Sequence, residues 1–410
     1  MTGPPPAWWR WLLSPGGWIA LGMIVRTVHV LTLGNQYFFG DTAEYEHAAL
    51  RILHGQDVGS STRAPLYPVM LALSFALGGE ENYVVARYLQ LGLAFVQMWL
   101  AVGLARRMGG PAAAAFAAPI IALTPTNVFV AGLLYPTLLY STLLLAITAA
   151  AWELAERPRA LVAVGLGVLA VLGGLTDMVI LAPGLAIGAW LLAAARRTPG
   201  LARALAIAAA SALVLAVPYW ARVRAGGGDK VFMGKAQAVL YFARTDTIIS
   251  RPRWIRLPPT EAFEPLPVGA FVAREWRLFR ARPVAYTHDY VLEFLHFFQP
   301  LPDRVTTKNR FNRPWVLWIG AAWFLLLLPA AVLGYLRGHA PWRARILLGA
   351  IILVTAAFYA LFFTQARYRI PVIPQFAVLA ALALGAAFPR LGRLWADPLA
   401  GEAGAGPGQR

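Results

Sequence analysis

Long apolar runs separated by short polar connections make up most of this chain. Each run is close to the roughly 20 residues that a helix needs to cross the hydrocarbon core of a bilayer. The runs are continuous rather than alternating, so they predict helices and not the strands of a membrane barrel. The predicted spans are roughly 17–34, 83–105, 112–126, 128–150, 159–175, 178–194, 202–220, 313–336, 344–364 and 370–388. We therefore predict an all-α polytopic membrane protein with about ten transmembrane helices.

Arginine is unevenly distributed among the short connections. Connections that carry arginine, such as the pairs Arg106-Arg107 and Arg196-Arg197, alternate with arginine-free connections such as 176–177. By the positive-inside rule the arginine-rich side is cytoplasmic. This orientation predicts that both termini are cytoplasmic and that the two long loops are periplasmic.

The long loops are predicted at 35–82 and 221–312, within a single membrane domain at 1–396. The glycine-, alanine- and proline-rich residues 397–410 are predicted to form a disordered cytoplasmic tail. The first apolar run lacks a clear cleavage site, so we interpret it as a retained span. Because arginine greatly outnumbers lysine, the usage is typical of a GC-rich bacterial genome, and we expect a multi-pass protein of the bacterial inner membrane.

Both long loops contain helical patterns. In the first loop an apolar stripe recurs at helical spacing, which predicts a juxtamembrane helix lying on the membrane surface. The stripe consists of Tyr45, Ala48, Ala49, Ile52 and Leu53. In the second loop two helices are predicted at about 268–281 and 285–298, separated by Pro283.

Composition narrows the possible functions. Hydrophobic residues make up 59% of the chain and charged residues 13%, with a net charge of +17. The positions of the arginines favour topology and anionic lipid substrates over nucleic acid as the reason for this charge. The chain has no cysteine, which excludes disulfides, thiol catalysis and cysteine metal sites.

Asp41 is the carboxylate that most needs an explanation, because it lies just beyond the first apolar run. Acidic groups near a bilayer are costly and usually have a function or a partner. With Glu44 it also fits a capping box, a structural role that is compatible with catalysis. Glu44 and Glu46 are expected to form a solvated helix face. Asp57 is expected to be a solvated loop residue.

Several short motifs resemble the GT-C superfamily of glycosyltransferases that use polyprenyl-phosphate sugars. The resemblance is to the branch of protein O-mannosyltransferases and lipid A aminoarabinose transferases. It covers most of the chain, and each motif alone is degenerate. The matching segments are Arg26, Gly40-Asp41-x-x-x-Tyr45 with Ala48 and Gly55, Arg63-Ala64-Pro65-Leu66-Tyr67-Pro68, Arg87-Tyr88-x-Gln90, Ala122-Leu123-x-Pro125, Leu134-Tyr135-Pro136 and Arg367-Tyr368-Arg369-Ile370-Pro371.

The resemblance implies that Asp41 is the catalytic base of an inverting transfer to an acceptor hydroxyl. It also implies that no metal or other cofactor is needed, and the first loop lacks the clustered acids of a Mg²⁺ site. Thr42 stands where the protein mannosyltransferases have an acidic residue, and Thr137 stands where many relatives have glutamate. A lipid or glycan acceptor is therefore favoured over a protein acceptor.

The donor phosphate of such a reaction needs cationic groups, and arginine binds phosphate oxygens with directional hydrogen bonds. For the arginines that end helices, anchoring by snorkelling is an alternative, and for Asp177 a turn-forming role is equally possible. Arg26 lies in mid-span and should have an inward-facing partner. The predicted substrate-binding residues are Tyr45, Arg63, Tyr67, Arg87, Asp177, Arg222, Arg224, Arg367 and Arg369.

Two other classes remain as alternatives. A polytopic transporter would also bury charges, but it should show repeated halves and paired broken helices, which the sequence lacks. An O-antigen-ligase-like envelope enzyme would depend on arginine and histidine in a late loop. A catalytic Asp41 in the first loop distinguishes the GT-C class from this ligase class. The partners we expect are a polyprenyl-phosphate sugar donor, membrane lipids and an unidentified acceptor.

Overall fold

A computed structural model of the chain describes residues 14–36, 40–56, 63–225, 266–301 and 314–390, together with positions 237, 240–241, 244–245 and 254–255. Side chains are not described at 40–41, 222–225, 268 and 314–316. The predicted disordered tail at 397–410, Asp57 and much of the second loop lie outside the described residues.

The regular structure of the described residues is helical. In chain order the helices are α1 (Pro15–Leu33), α2 (Gly40–Leu53), α3 (Leu66–Gly78), α4 (Tyr83–Leu123), α5 (Pro125–Gly132), α6 (Thr137–Glu156), α7 (Ala160–Thr176), α8 (Leu181–Ala195), α9 (Leu201–Ala225), α10 (Val268–Ala281), α11 (Pro283–Phe297), α12 (Pro314–Arg337), α13 (Trp342–Ala360) and α14 (Ile373–Ala387). Short 3-10 helices, Met178–Ile180 and Ala366–Val372, precede α8 and α14.

The all-α membrane class is confirmed, whereas the count of about ten spans is not. Within the described residues, eight helices are long and apolar enough to cross a membrane. α4 is 41 residues long and contains the predicted span 83–105 and most of the predicted span 112–126, with a kink at Gly110, where φ is 79°. α7 has only 17 residues and so is short for a span.

The predicted span at 128–150 is wrong in its boundaries. α5 ends at Gly132 and α6 begins at Thr137, so the chain is not helical at Pro136. Proline lacks a backbone N–H and disfavours the helical conformation of the residue before it, which explains the break. Continuous hydrophobicity hid this break from the sequence pattern.

The loop helices begin and end close to their predicted positions. The helix predicted in the first loop is α2, but its apolar stripe packs into the protein, where Tyr45, Ala48 and Ala49 are buried, so the prediction that this stripe lies on the membrane surface is wrong. The two helices of the second loop are α10 and α11, with Pro283 in the first position of α11. The second juxtamembrane segment that the motif at 63–68 implied leads into α3. α3 is apolar and packs against α2, burying Tyr67, Leu71 and Phe75.

The arginine-bearing connections meet at one end of the bundle. Arg107 at the middle of α4 pairs with Glu153 near the end of α6 at 2.9 Å. Trp190 of α8 donates a hydrogen bond of 3.0 Å to the carbonyl of Arg343 in α13. The opposite end, where α1 and α7 finish and α6 begins, carries α2, α3 and α11; we call it the site end.

Arg26 has the partners that the sequence required, and they are backbone carbonyls. This fully buried guanidinium donates from Nη1 to the carbonyl oxygens of Gly22 (3.0 Å) and Ala122 (2.7 Å), and from Nη2 to that of Ile121 (3.1 Å). Ile121 and Ala122 lie in the last turn of α4, where carbonyls have no partner within the helix and carry the negative end of the helix dipole. Arg26 therefore joins α1 to α4.

Replacing Arg26 with methionine should lower the free energy of unfolding by about 3 kcal/mol, because the buried carbonyls of α4 lose charged hydrogen-bond donors. The measurement is thermal unfolding of the purified protein in detergent. Ile24→Ala is the matched control, because Ile24 lies on the same helix with its side chain 60% exposed. Equal stability of the Arg26 variant and the wild type would contradict the anchoring role.

Candidate functional site

The start of α2 is fixed against the corner that follows α5. The side chain of Thr42 is buried, and its hydroxyl donates a hydrogen bond of 3.2 Å to the carbonyl of Leu134. The backbone of Asp41 lies in the first turn of the same helix, and its side chain lies outside the described residues. The helix that carries the predicted base is thus held at a defined place on the site end.

Tyr45, one turn after Asp41, lies in a buried aromatic cluster. Its ring meets the rings of Tyr67 and Tyr135 edge to face, each with centroids 5.4 Å apart. Burial raises the pKa of the Tyr45 hydroxyl well above its usual value, and Tyr135 and Asp177 raise this pKa further against the lowering effect of Arg63. Tyr45 therefore stays protonated at neutral pH and can donate a hydrogen bond.

Arg63 covers the Tyr45 ring. Its guanidinium carbon lies 4.9 Å from the ring centroid, a cation–π distance, and Nη1 lies 3.4 Å from the Tyr45 hydroxyl. Nε pairs with Glu44 at 2.5 Å, and the Arg63 side chain is 6% exposed, whereas that of Glu44 is 51% exposed. Burial lowers the pKa of Arg63, but the hydrogen bond that Arg63 donates to Glu44 and the nearby tyrosines raise this pKa by more, so it ends above its usual value. The site thus holds a permanent positive charge beside Tyr45.

Asp177 lies at the end of α7, facing the same tyrosines. Its Oδ1 accepts a hydrogen bond of 3.0 Å from the backbone N–H of Val179, so the turn-forming role that the sequence left open is present. The carboxylate is also close enough to Tyr45, Tyr140 and Tyr359 to interact with each electrostatically. A capping role and a substrate contact are compatible, and the substrate contact stays a prediction.

Arg367 approaches this cluster from the 3-10 helix before α14. Its guanidinium carbon lies 5.5 Å from the Tyr368 ring centroid. Tyr368 stacks on Tyr359 with centroids 4.5 Å apart and planes 12° apart. Since Tyr359 interacts with Asp177, these contacts connect Arg367 to the site.

Arg87 is buried and holds backbone carbonyls. Its Nε donates to the carbonyl of Gly132 (2.9 Å), its Nη1 to that of Gly34 (2.5 Å), and its Nη2 to that of Gln36. These groups end α5 and follow α1, where backbone acceptors lack helical partners. The phosphate contact predicted for Arg87 stays a prediction, and its guanidinium already has a structural role.

Arg369 has a similar role at the end of α11. Its Nη1 donates to the carbonyls of Gln299 and Phe297, the latter at 3.4 Å, and its guanidinium lies 3.9 Å from the Phe324 ring centroid. Arg369 therefore ties the second loop to the bundle. The side chains of Arg222 and Arg224, both predicted to contact substrate, lie outside the described residues.

A buried polar chain positions the 3-10 helix that carries Arg367. The amide of Asn127 donates to Gln97 (3.2 Å), Gln97 donates to Ser141 (2.9 Å), and Ser141 donates to the carbonyl of Pro371 (2.9 Å). All three side chains are buried. Hydrogen bonds in a dry environment are costly to break. This series of hydrogen bonds therefore fixes the 3-10 helix Ala366–Val372 against α4 and α6.

An apolar groove of about 440 Å³ opens between α6, α7 and α8. The end of the groove that Ile180 and Leu181 line adjoins the site, because these two residues follow Asp177 closely in the chain. Leu181 and Leu185 are 52% and 74% exposed, so the groove opens on the lipid-facing side of the bundle. The lining residues are Leu144, Ile147, Leu166, Ala170, Ile180, Leu181, Gly184, Leu185, Ile187, Gly188 and Leu191.

Sequence reasoning missed several members of the site. Tyr140 and Tyr359 lie in apolar runs without a motif, and Tyr135 belongs to Leu134-Tyr135-Pro136 but has no predicted role of its own. The expected solvated face of α2 is wrong for Glu46, which is buried and accepts a hydrogen bond from the Tyr83 hydroxyl. Glu44 is half exposed but bound to Arg63. Only the packing of α2 onto its neighbours could show these pairs.

No family model and no curated protein matches the chain. Among solved structures, the chain is similar to ArnT from Cupriavidus metallidurans, both bound to undecaprenyl phosphate and in the apo state. Each comparison gives a TM-score of 0.58 at 17% sequence identity and covers 94% of this chain. The chain spans 62% of the length of ArnT. The chain thus has a fold similar to that of ArnT, in agreement with the all-α membrane fold that its motifs predicted.

Replacing Ser141 with alanine should loosen the segment Ala366–Val372, because Gln97 loses its acceptor and the carbonyl of Pro371 its donor. The substitution should lower the free energy of unfolding by about 2 kcal/mol. Backbone amides of this segment should exchange hydrogen for deuterium faster, as measured by mass spectrometry. Thr148→Ala is the matched control on α6, because the Thr148 hydroxyl bonds only within its own helix in the described structure. Unchanged exchange in the Ser141 variant would argue against this positioning role.

Proposed function

We propose that this chain is an inverting glycosyltransferase that moves a sugar from a polyprenyl-phosphate-linked donor to an acceptor hydroxyl. The observation that carries the proposal is the placement of α2. Its first turn contains Asp41, and Tyr45, one turn later, lies directly under the guanidinium of Arg63. This arrangement of acid, tyrosine and arginine occurs in a fold that is similar to ArnT, for which a complex with undecaprenyl phosphate is known.

The proposed reaction is a single displacement. The Asp41 carboxylate takes the proton of the acceptor hydroxyl while that oxygen attacks the anomeric carbon. The bond between this carbon and the phosphate oxygen breaks on the opposite face, and its electron pair leaves with polyprenyl phosphate. Since phosphate is a good leaving group, no second carboxylic acid is required, and the configuration at the anomeric carbon inverts.

Arg63 is the residue best suited to stabilise the departing phosphate. It is buried and permanently charged, and its carboxylate partner Glu44 is half exposed to solvent. A donor phosphate can replace Glu44 on the guanidinium without leaving a buried acid unpaired, because Glu44 can turn to water. Positive charge placed where negative charge develops is an effective way to lower a barrier of this kind. Arg367 is a second candidate through its contact with Tyr368.

The groove between α6, α7 and α8 fits the polyprenyl tail. Its lining is apolar, it opens toward lipid, and one end lies beside Asp177. An isoprenoid bound there would have its phosphate at the site end and its tail in the bilayer. The tail would gain about 25 cal/mol for each Å² of apolar surface that it buries away from water, and less relative to lipid.

The remaining features of the proposal follow from topology and from the motifs. The site end lies opposite the arginine-bearing connections, which supports a periplasmic site in a bacterial inner membrane with cytoplasmic termini. We propose a metal-independent reaction with a lipid or glycan acceptor, since Thr42 anchors α2 where the protein mannosyltransferases have an acid. The fold is the reason to prefer a transferase over a transporter or an O-antigen-ligase-like enzyme.

Replacing Asp41 with asparagine should lower the rate of sugar transfer by about 10²–10⁴-fold, because the general base is lost. Asparagine has nearly the shape of aspartate, and losing a charge in the first turn of α2 costs only about 0.3–1 kcal/mol, so the substitution tests catalysis rather than folding. The measurement is transfer by isolated membranes from a panel of polyprenyl-phosphate sugars, with protein amount and thermal stability checked in parallel.

The control for this experiment is Glu81→Gln, which removes an exposed carboxylate at the same end of the bundle. It should leave the transfer rate unchanged. An Asp41→Asn protein that transfers sugar at the wild-type rate would refute the proposed base. Absence of transfer by the wild type from every donor in the panel would refute the reaction class.

Filling the groove should weaken donor binding without unfolding the protein. Gly188 lines the groove and a Cβ added there meets no atom within 4 Å, so a leucine at this position can take up groove volume without its Cβ disturbing the helix packing. We expect Gly188→Leu to raise the apparent KM for the lipid donor by roughly tenfold, a loss of about 1.4 kcal/mol of binding. Gly92→Leu on α4 is the control, since its Cβ also meets no atom. Equal KM values for both variants would place the tail elsewhere.

A further inference from the structure

The second-loop helices α10 and α11 have their acids on the inside. Glu275 of α10 is bound by both terminal nitrogens of Arg244, at 3.0 and 2.8 Å. Asp289 of α11 accepts hydrogen bonds from the backbone N–H groups of Trp254 (2.9 Å) and Ile255 (3.0 Å). These carboxylates are nearly buried and fully engaged in holding the loop together.

The outward side of both helices is apolar. On α10, Val272 and Trp276 are 57% and 53% exposed, and Phe279 stacks on Trp276 with centroids 5.5 Å apart. On α11, Val284 and Leu295 are 71% and 58% exposed. A loop helix in water shows the opposite arrangement, with apolar residues inside and acids outside. The inverted arrangement indicates that this surface faces lipid.

Arginines border the apolar side of α10. Arg277, Arg280 and Arg282 are exposed, and the guanidinium of Arg280 lies 5.1 Å from the Trp276 ring centroid. Tryptophan with adjacent arginine is the usual combination at the boundary between acyl chains and headgroups. The positive charge is complementary to lipid phosphate, and basic residues near a membrane surface attract anionic lipid.

The position of α11 makes the surface continuous with the lipid-facing bundle. α11 packs against α13, and its Glu293 accepts a hydrogen bond of 2.7 Å from the N–H of Thr364 just after α13. Leu361, at the end of α13, is 47% exposed on the same end of the molecule. The apolar side of α11 therefore begins where the surface of a membrane span ends.

We propose that α10 and α11 are embedded in the bilayer interface at the site end, with their apolar side among acyl chains and the arginines of α10 on phospholipid phosphates. The second loop is then a membrane-bound surface and not a water-exposed domain. The partner is anionic bilayer phospholipid, and the proposal does not depend on the sugar-transfer reaction. Its consequence is that lipid can reach the site within the membrane plane.

The test uses single spin labels, which is direct because the chain has no cysteine. Val272→Cys, Leu295→Cys and Ala270→Cys are labelled with a nitroxide in full-length protein in donor-free vesicles containing phosphatidylglycerol. Ala270 is the matched control, being exposed on α10 two turns before Arg277 and therefore on the arginine side. Collision rates with oxygen, which concentrates in acyl chains, and with a water-soluble nickel chelate are measured for each label.

Labels at Val272 and Leu295 should collide more with oxygen than with nickel, and the label at Ala270 should show the reverse. A nickel preference at Val272 and Leu295 would overturn the proposal. Protection of both labels from both reagents, with label-to-label dipolar coupling, would show a second copy on this surface and would also overturn it.

A second experiment with the label at Val272 tests whether the α10 arginines bind anionic lipid. Raising the phosphatidylglycerol content should increase the oxygen preference of this label, and the double variant Arg277→Gln with Arg280→Gln should lose that response. The double variant Arg157→Gln with Arg159→Gln removes the same charge at the opposite end, from exposed positions, and should keep it. Equal responses of the two double variants would overturn the role of the α10 arginines.

Discussion

Backbone carbonyls left without partners where helices end are the constraint on which the site end depends. In a bundle surrounded by lipid, few water molecules are available to satisfy them, so the protein must supply donors. Three arginines supply these donors: Arg26 at the end of α4, Arg87 at the end of α5 and Arg369 at the end of α11. Each of them donates hydrogen bonds to two or more carbonyls. All three guanidinium groups are buried. These contacts hold together the interrupted helices from which the site is built.

This constraint separates the arginines into two groups. Those that hold carbonyls cannot be moved without leaving buried acceptors unpaired, which is costly. Arg63 differs, because its carboxylate partner Glu44 can return to water. Arg367 lies over the Tyr368 ring beside the site. The arginine count alone could not make this distinction, because both groups occur in the same motifs.

Local patterns predicted the loop helices well and the helix breaks poorly. The stripe from Tyr45 to Leu53 gave α2 because helical spacing is a local property. The break at Pro136 was missed because hydrophobicity continues across it, although the proline itself was visible. Glu46 was assigned to the solvated side because its burial depends on Tyr83, which is far along the chain. The sequence therefore indicated which segments lie at the site end, but not which side chains pair there.

The sequence by itself determined that the chain is an all-helical, multi-pass membrane protein, because composition and the length of apolar runs suffice for that. It also determined where α2, α10 and α11 lie and which motifs resemble the GT-C superfamily. Only the tertiary structure decided which arginine binds carbonyls and which faces the site, that Tyr140 and Tyr359 join Asp177, and that α10 and α11 turn their acids inward. These features depend on pairs of residues far apart in the chain, and such pairs are fixed by packing rather than by local pattern.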